Sequence, residues 1–364
     1  MNILYTSDDK FAEIAGVSIL SLFENNKDAD EINIYLIASG ISEVNKQRLT
    51  GISESYGRKI IFTDAPDIEK IAGTAIDTGL ERWSLTVFCR LFISSVLPAD
   101  MEKIIYLDCD TIIRGSLRRL WNTQQGKNII SGQKTQMDSF TYDMIFLQRN
   151  DVYVNCGILL INLALWRQYD VEEKFIKFIR LMGGKIPNND QDTLNSVLKG
   201  YIGAIDPTYN CGPAWAKIKE NPVPVPFDKV PDAEKIKNPV IVHFIGEDSL
   251  IGIYKRPWEA DTDAKQGTAI VYPDVIEEWR MYKSMSSWAD EPLRRSPEET
   301  KKKYENLVKI IKKCKPLYGL LLRIKKAASR FAGKIRKQES IGKYLERRQK
   351  ITGIKIEDCR IEPR

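Results

Sequence analysis

The chain has 364 residues, 43% hydrophobic and 29% charged, with a net charge of +6 at pH 7 and a single histidine. This is the make-up of a soluble globular protein with chain enough for a sizeable core, and it excludes collagen-like, low-complexity and disulfide-built architectures. No apolar run approaches the roughly 20 residues of a membrane-crossing helix, and Met1 to Asp9 carries neither a basic leader nor a long apolar region, so a cytoplasmic protein is expected.

Taken in order, Ile3 to Thr6 reads as a strand, Phe11 to Phe23 as a helix, Ile32 to Ala38 as a strand, Ser42 to Ser55 as a helix and Lys59 to Phe62 as a strand. Such alternation predicts an α/β sheet with helices on both faces. A helix over Thr86 to Leu97 is expected next, then a buried strand from Lys103 that runs into Asp108-Cys109-Asp110. Tyr153 to Leu163 is a further apolar segment whose Gly157 would let the backbone approach a ligand closely. A helix over Val171 to Leu181 and another opened by Asp190-Gln191-Asp192 follow, and Pro239 to Phe244 closes the apolar series. Asn210 to Asp232, rich in Pro and without periodicity, reads as a surface loop or lid. The six cysteines include no Cys-x-x-Cys pair, so reduced structural thiols are expected.

Asp108 and Asp110 carry the strongest chemical signal. In an extended strand alternate side chains share a face, so the two carboxylates would point together while Cys109 points into packing. Two adjacent carboxylates repel, and a hard divalent cation carrying phosphate oxygens would relieve them. The plain alternative is an acidic strand-to-loop transition. His243 ends a second predicted strand, where sheet strands open binding crevices, and imidazole with two carboxylates suits Mn²⁺ or a similar ion.

The net charge conceals a division. Lys301 to Lys350 holds 18 Lys or Arg against three acids, a local +15 that leaves −9 for the rest. Leu317, Leu320, Leu321, Ile324, Phe331 and Ile335 fall at helical spacing among these cations, a basic amphipathic pattern suited to an anionic membrane surface. Sparse aromatics without an RNA motif argue against nucleic acid as a partner. The expected division is a catalytic domain over 1–285 and a basic helical tail over 286–364, with the protein peripheral at the inner face of the membrane.

Several blocks together resemble glycosyltransferase family 8, which includes bacterial lipopolysaccharide and lipooligosaccharide galactosyl- and glucosyltransferases and the relative glycogenin. They are Ile3-Leu4-Tyr5-Thr6-Ser7-Asp8-Asp9, Arg90-Leu91, Tyr106 to Asp110, Asn155 to Leu163 with Trp166-Arg167, Asp190-Gln191-Asp192 with Leu194-Asn195, His243 to Gly246, and Pro257-Trp258. The resemblance implies a GT-A fold, a Rossmann-like nucleotide-binding mixed sheet flanked by helices, and a UDP-sugar donor used with Mn²⁺, or Mg²⁺ in its place, with retention of configuration. It implies Asp108, Asp110 and His243 as metal ligands, Thr6 and Asp8 in the uridine loop, and Arg90, Asn155, Asp190 and Gln191 around the donor sugar. Cys109, Cys156 and Gly246 are also implied to line the substrate, and Lys255, ahead of Arg256, to bind the diphosphate. Gln191 is nearest the anomeric carbon in the family. Asp190 either forms a glycosyl intermediate or holds sugar hydroxyls, the second being favoured. Asp138 lies near where relatives place a sugar-contacting carboxylate.

The expected function is a retaining hexosyltransferase passing galactose or glucose from a UDP-hexose to a glycan or lipid-linked glycan acceptor. The alternatives are a metal-dependent nucleotidyltransferase, which would release pyrophosphate, and an inactive UDP-sugar-binding protein.

Overall fold

The computed structural model describes residues 1–78, 85–137, 139–212, 238–244, 256–258, 273–294 and 341–362. Gly246, Lys255, Asp138 and the amphipathic segment from Leu317 to Ile335 lie outside the described residues.

The first half alternates β1 (Asn2–Asp8), α1 (Ala12–Glu24), β2 (Asn33–Ser39), α2 (Glu43–Ser55), β3 (Lys59–Asp64) and α3 (Ile68–Ala72). After β4 (Lys103–Leu107) come β5 (Thr111–Ile113), α4 (Arg118–Trp121), β6 (Ile130–Lys134), α5 (Ser139–Met144) and β7 (Val154–Asn162). Next are α6 (Leu163–Gln168), α7 (Val171–Met182), α8 (Asn189–Val197), β8 (Ile202–Ala204), β9 (Ile241–His243) and α9 (Pro273–Ser284). A mixed seven-stranded sheet has the order β3-β2-β1-β4-β7-β6-β8, and β5 pairs with β9 in a separate two-stranded sheet.

Strands β1 and β4 are apolar on both sides because helices cover both faces of the sheet. Leu4, Ile104 and Tyr106 pack on one side with α7, α8 and the C-terminal segment, while Ile3, Tyr5, Ile105 and Leu107 pack on the other with α1 and α9. Local sequence explains the helix starts: Ser42 caps α2 by accepting from the Asn45 N–H, and Asn162 caps α6 through Leu165.

Three expectations are revised. The helix predicted over Thr86 to Leu97 is a 3-10 helix confined to Leu85–Leu91, followed by turns through Ser94, Ser95 and Pro98, residue types that end helices. Strand β4 stops at Leu107, so Asp108 to Asp110 form a bend and the strand pleat is not what aligns the two carboxylates. His243 ends a strand of the small β5–β9 sheet, outside the main sheet.

Both described flanks of the basic segment pack on the α/β body. Trp288 lies against Gly16 of α1, where a β-carbon would fall 2.4 Å from its ring. Residues 341–352 are helical, and Ile341, Leu345, Ile356, Cys359 and Ile361 are buried in the core beside α7. Arg348 donates to the carbonyls of Leu181 and Arg180 at the end of α7. Among the described residues no helix is long and apolar enough to cross a membrane, and Cys89, Cys109, Cys156, Cys211 and Cys359 are free thiols.

Candidate active site

The site forms where β4 ends. Because β7 runs antiparallel to β4, its opening residues Asn155-Cys156-Gly157 lie beside Asp108, whose N–H donates to the Gly157 carbonyl at 2.7 Å. The bend at Asp108 to Asp110 then turns the chain into β5. Thr111 pairs with His243 across β5–β9, the His243 N–H donates to Cys211 and the Phe244 N–H to the Asp110 carbonyl. This backbone clamp presents the imidazole to both aspartates. Its Nε2 is 3.4 Å from Asp108 Oδ2 and 3.2 Å from Asp110 Oδ1, and one ligand atom from each of the three residues lies within 4.8 Å of the others. Imidazole and two carboxylates are a donor set suited to a divalent ion such as Mn²⁺, so the residues present fit the metal that the sequence implies.

Gly157 serves this cluster directly. A β-carbon on it would fall 2.1 Å from His243 Cε1 and 2.8 Å from Asp108 Oδ2. The space that the sequence assigned to a ligand is filled by the side chains of His243 and Asp108.

Arg90 is the second organising residue. In sequence it could be a solvated helical arginine; in the fold it is 6% exposed. Its guanidinium reaches Asp108 Oδ1 at 2.9 Å and Asp190 Oδ2 at 3.0 Å, donates to the Cys156 carbonyl at 2.9 Å and stacks over Tyr106 at 4.4 Å. A planar fork serves two carboxylates and a carbonyl at once, which a lysine could not do. Burial alone would raise the Asp108 carboxyl, but Arg90 and His243, helped by the Tyr106 hydroxyl, outweigh it and hold it at about 2. Burial likewise lowers the His243 imidazole, and Asp110 and Asp108 overcome this to lift it to about 9. Burial pushes the Asp190 carboxyl up, with Arg90 opposing.

Asp190 is not a helix cap. The cap position of α8 is Asn188, and Asp192 Oδ2 accepts from both the Asn188 N–H and its side-chain amide. Asn195 grips the Val154 N–H and carbonyl at 2.8 and 2.9 Å, suturing α8 to the start of β7. That suture sets Gln191 against Asn155, whose amide donates to Gln191 Oε1 at 2.9 Å.

On the other flank, β1 lies parallel to β4 and brings Thr6 beside the site. Thr6 Oγ1 is 3.0 Å from the Tyr106 hydroxyl, which donates to Asp108 Oδ1 at 2.7 Å, and the buried Cys109 thiol donates to the Thr6 carbonyl. Asp8 accepts from the Phe11 N–H at 3.0 Å and so closes the turn after β1. Thr6, Arg90, Asp108, Cys109, Asp110, Asn155, Cys156, Asp190, Gln191 and His243 are therefore brought together. Sequence reasoning missed Tyr106, Tyr153 and Asn210. Tyr106 had a readable signal, a hydroxyl two residues before Asp108 in an apolar strand; Asn210 was expected to open a surface loop but is fully buried, and residues 213–232 of that loop lie outside the described residues.

Comparison with known proteins agrees with this geometry. The Glycosyl transferase family 8 model matches residues 2–261. A putative glycosyltransferase of Haemophilus influenzae is 29% identical over 218 residues, 58% of this chain and 64% of that protein. A lipopolysaccharide 1,2-glucosyltransferase of Escherichia coli is 24% identical over 58% of this chain and 62% of its own length. The chain thus spans somewhat less than two thirds of either relative. Among solved structures, the galactosyltransferase LgtC, in complex with donor and acceptor sugar analogues, superposes with a TM-score of 0.65 at 24% identity, covering 83% of this chain and all of that one. The mixed seven-stranded sheet flanked by helices is the GT-A architecture. With the family model running from β1 past Trp258 and thus through every strand that builds the site, this chain belongs to glycosyltransferase family 8.

Proposed function

We propose that the protein is a retaining hexosyltransferase, dependent on Mn²⁺ or Mg²⁺, that moves galactose or glucose from a UDP-sugar to a glycan acceptor in lipopolysaccharide or other cell-surface polysaccharide synthesis. One observation carries this reading: Asp108, Asp110 and His243 converge at the end of β4, and Arg90 ties that cluster to Asp190 beside Asn155 and Gln191. The glucosyltransferase and galactosyltransferase among the similar proteins support a hexose donor.

A divalent ion held by Asp108, Asp110 and His243 would supply positive charge to the diphosphate as it leaves. Thr6 and Asp8 hold the uridine, Cys109, Cys156 and Gly246 contribute to donor binding, and Lys255 binds the diphosphate. Arg90, Asn155, Asp190 and Gln191 surround the hexose. Asp190 is buried and ion-paired to Arg90, which weakens it as a nucleophile and favours a role in orienting sugar hydroxyls. Gln191 accepts the Asn155 amide and the Cys156 N–H on Oε1, which favours positioning by an amide over covalent attack. Both points favour acceptor entry on the face from which UDP departs.

The basic segment is proposed to hold the enzyme on an anionic membrane beside lipid-linked acceptors, each cation near the surface contributing about 1 kcal/mol. Substituting Arg323, Lys325, Lys326 and Arg330 by Gln should release the protein from vesicles containing phosphatidylserine. Unchanged partition would sink that part of the reading.

The test of function is a panel of UDP-, GDP- and CMP-sugars with and without Mn²⁺, reading the nucleotide released. UDP release from one UDP-hexose, dependent on cation and reduced by orders of magnitude in Asp110→Ala, supports the proposal. Pyrophosphate release would favour a nucleotidyltransferase, and silence toward every UDP-sugar would favour an inactive binder.

A further inference from the structure

The imidazole of His243 begins a hydrogen-bond chain that runs away from the cation cluster. His243 Nδ1 is 2.9 Å from Asn210 Oδ1, and Asn210 Nδ2 donates to Asn155 Oδ1 at 2.8 Å. Asn155 Nδ2 donates to Gln191 Oε1 at 2.9 Å, and Gln191 Nε2 donates to the Tyr153 hydroxyl at 3.0 Å. The Tyr153 hydroxyl donates to Asp192 Oδ1 at 2.6 Å. Asn210 is fully buried, as are Tyr153 and Asp192.

Side-chain amides can be turned over, so the direction of such a chain must be argued from groups that cannot. Three are present. The Gly157 N–H donates to Asn155 at 3.0 Å, so the atom facing it is Oδ1. The Cys156 N–H approaches Gln191 at 3.3 Å, so that atom is Oε1. Ionised Asp192 only accepts, so Tyr153 must donate to it and is left a lone pair for Gln191 Nε2. With Asn155 Oδ1 fixed, Asn210 presents Nδ2 to it and turns Oδ1 to the imidazole. Once Nε2 gives up its proton, as binding a cation requires, the remaining imidazole proton is held on Nδ1 and the Nε2 lone pair faces the space between Asp108 and Asp110.

We infer that Asn210 is a positioning residue, oriented through Asn155 by the β7 backbone, that holds His243 in the Nδ1–H tautomer and so commits Nε2 to the divalent cation. The inference rests on the cation reading proposed above. It also joins the cation cluster to Gln191 through a single amide, Asn155. Groups that orient a ligating histidine through its other ring nitrogen contribute about 10- to 100-fold to metal affinity.

The presence of one histidine in the chain makes the test direct, because histidine-selective ¹⁵N labelling reports His243 alone. In the wild-type protein with Cd²⁺ as a diamagnetic probe, the expected spectrum has a slowly exchanging proton on Nδ1 and the cation on Nε2. A proton on Nε2 or a cation on Nδ1 would overturn the inference without any variant. Mn²⁺ affinity, measured by electron paramagnetic resonance, should fall about 10- to 100-fold in Asn210→Leu. Asn210→Asp still offers an oxygen to Nδ1–H but turns its other oxygen against Asn155 Oδ1, so it should bind Mn²⁺ more weakly than wild type yet more tightly than Asn210→Leu, and affinity no better than that of Asn210→Leu would refute the tautomer role. Equal affinity in wild type and Asn210→Leu, with both folded by circular dichroism, refutes the role of Asn210 while leaving the cation site standing. Absence of Mn²⁺ binding by the wild type overturns the cation reading and this inference with it.

Discussion

Gly157 lies so close to His243 that a methyl group in place of its hydrogen would stand 2.1 Å from Cε1 and 2.7 Å from Nδ1. The ring cannot retreat, because β9 is held between β5 and Cys211 and Nδ1 is held by Asn210. Gly157→Ala should therefore dismantle the cluster while sparing the sheet. Turnover and Mn²⁺ affinity are expected to fall by about 100-fold or more, since an intact ligand set that is mis-oriented binds poorly. Circular dichroism should be unchanged, and wild-type affinity in this variant would show that the cluster is not the cation site.

Arg90 stands between the buried carboxylate of Asp190 and the partly buried one of Asp108, so its loss affects stability as well as binding. Arg90→Gln leaves Asp108 and Asp190 facing each other without a cation, and destabilisation of about 3–5 kcal/mol is expected. Arg90→Lys should recover only part of this, because one ammonium cannot meet Asp108, Asp190 and the Cys156 carbonyl together. Urea unfolding midpoints for the two variants measure the difference, and wild-type stability in Arg90→Gln would contradict the assigned pairing.

Asp192 makes a pH prediction of definite sign. Burial raises its carboxyl from the ordinary 3.8 to about 6, although hydrogen bonds from Tyr153 and Asn188 favour the ion and only Asp190 adds repulsion. Because the folded value is the higher one, the ionised carboxylate costs the native state. From this group alone stability should decline between about pH 4 and 6 by something on the order of 3 kcal/mol. Activity should move the opposite way, rising through about pH 6, because only the carboxylate can accept from the Tyr153 hydroxyl and from both Asn188 donors. Asp192→Asn should lower turnover and flatten that acid limb. An acid limb that persists at the same pH in the variant would assign it to another group.

The C-terminal residues are expected to be structural. Ile361 and Cys359 are buried, Arg360 donates to the Phe146 carbonyl, and the Tyr201 hydroxyl donates to the Glu362 carbonyl. Ile361→Ala should cost about 2–5 kcal/mol, the range for emptying an aliphatic core position. Removal of residues 341–364 should produce an unstable or aggregating catalytic body. Thermal unfolding of both variants decides this, and a truncated protein as stable as wild type would show that the segment's burial contributes nothing.

The strands and helices of the first half were legible because they are apolar runs of distinct length, the short Ile3 to Thr6 as a strand buried on both faces and the longer Phe11 to Phe23 as a buried helix. Short elements were not. Thr111–Ile113, Ile130–Lys134 and Ile202–Ala204 are three to five residues long, below the length at which alternation can be distinguished, and they exist because neighbouring strands pair with them. The 3-10 helix Leu85–Leu91 was expected to be part of a longer helix, although Thr86, Val87 and Cys89 within it and Ser94, Ser95 and Pro98 beyond it are poor α-helix formers.

Sequence alone determined the chemistry available: Asp108 and Asp110 one residue apart, one histidine in the chain, and ordered blocks whose family resemblance places Arg90, Asn155, Asp190 and Gln191 near a donor sugar. Tertiary structure decided how those groups meet. A bend after Leu107, not the pleat of a strand, turns Asp108 and Asp110 toward His243. Buried Arg90 spans Asp108 and Asp190, and Asn210 links the imidazole to Gln191 through Asn155. The reason is physical: residue type sets which bonds a group can form, but the partners here are separated by up to 135 residues, from Asp108 to His243, and only chain pairing and burial bring their atoms within 3 to 4 Å.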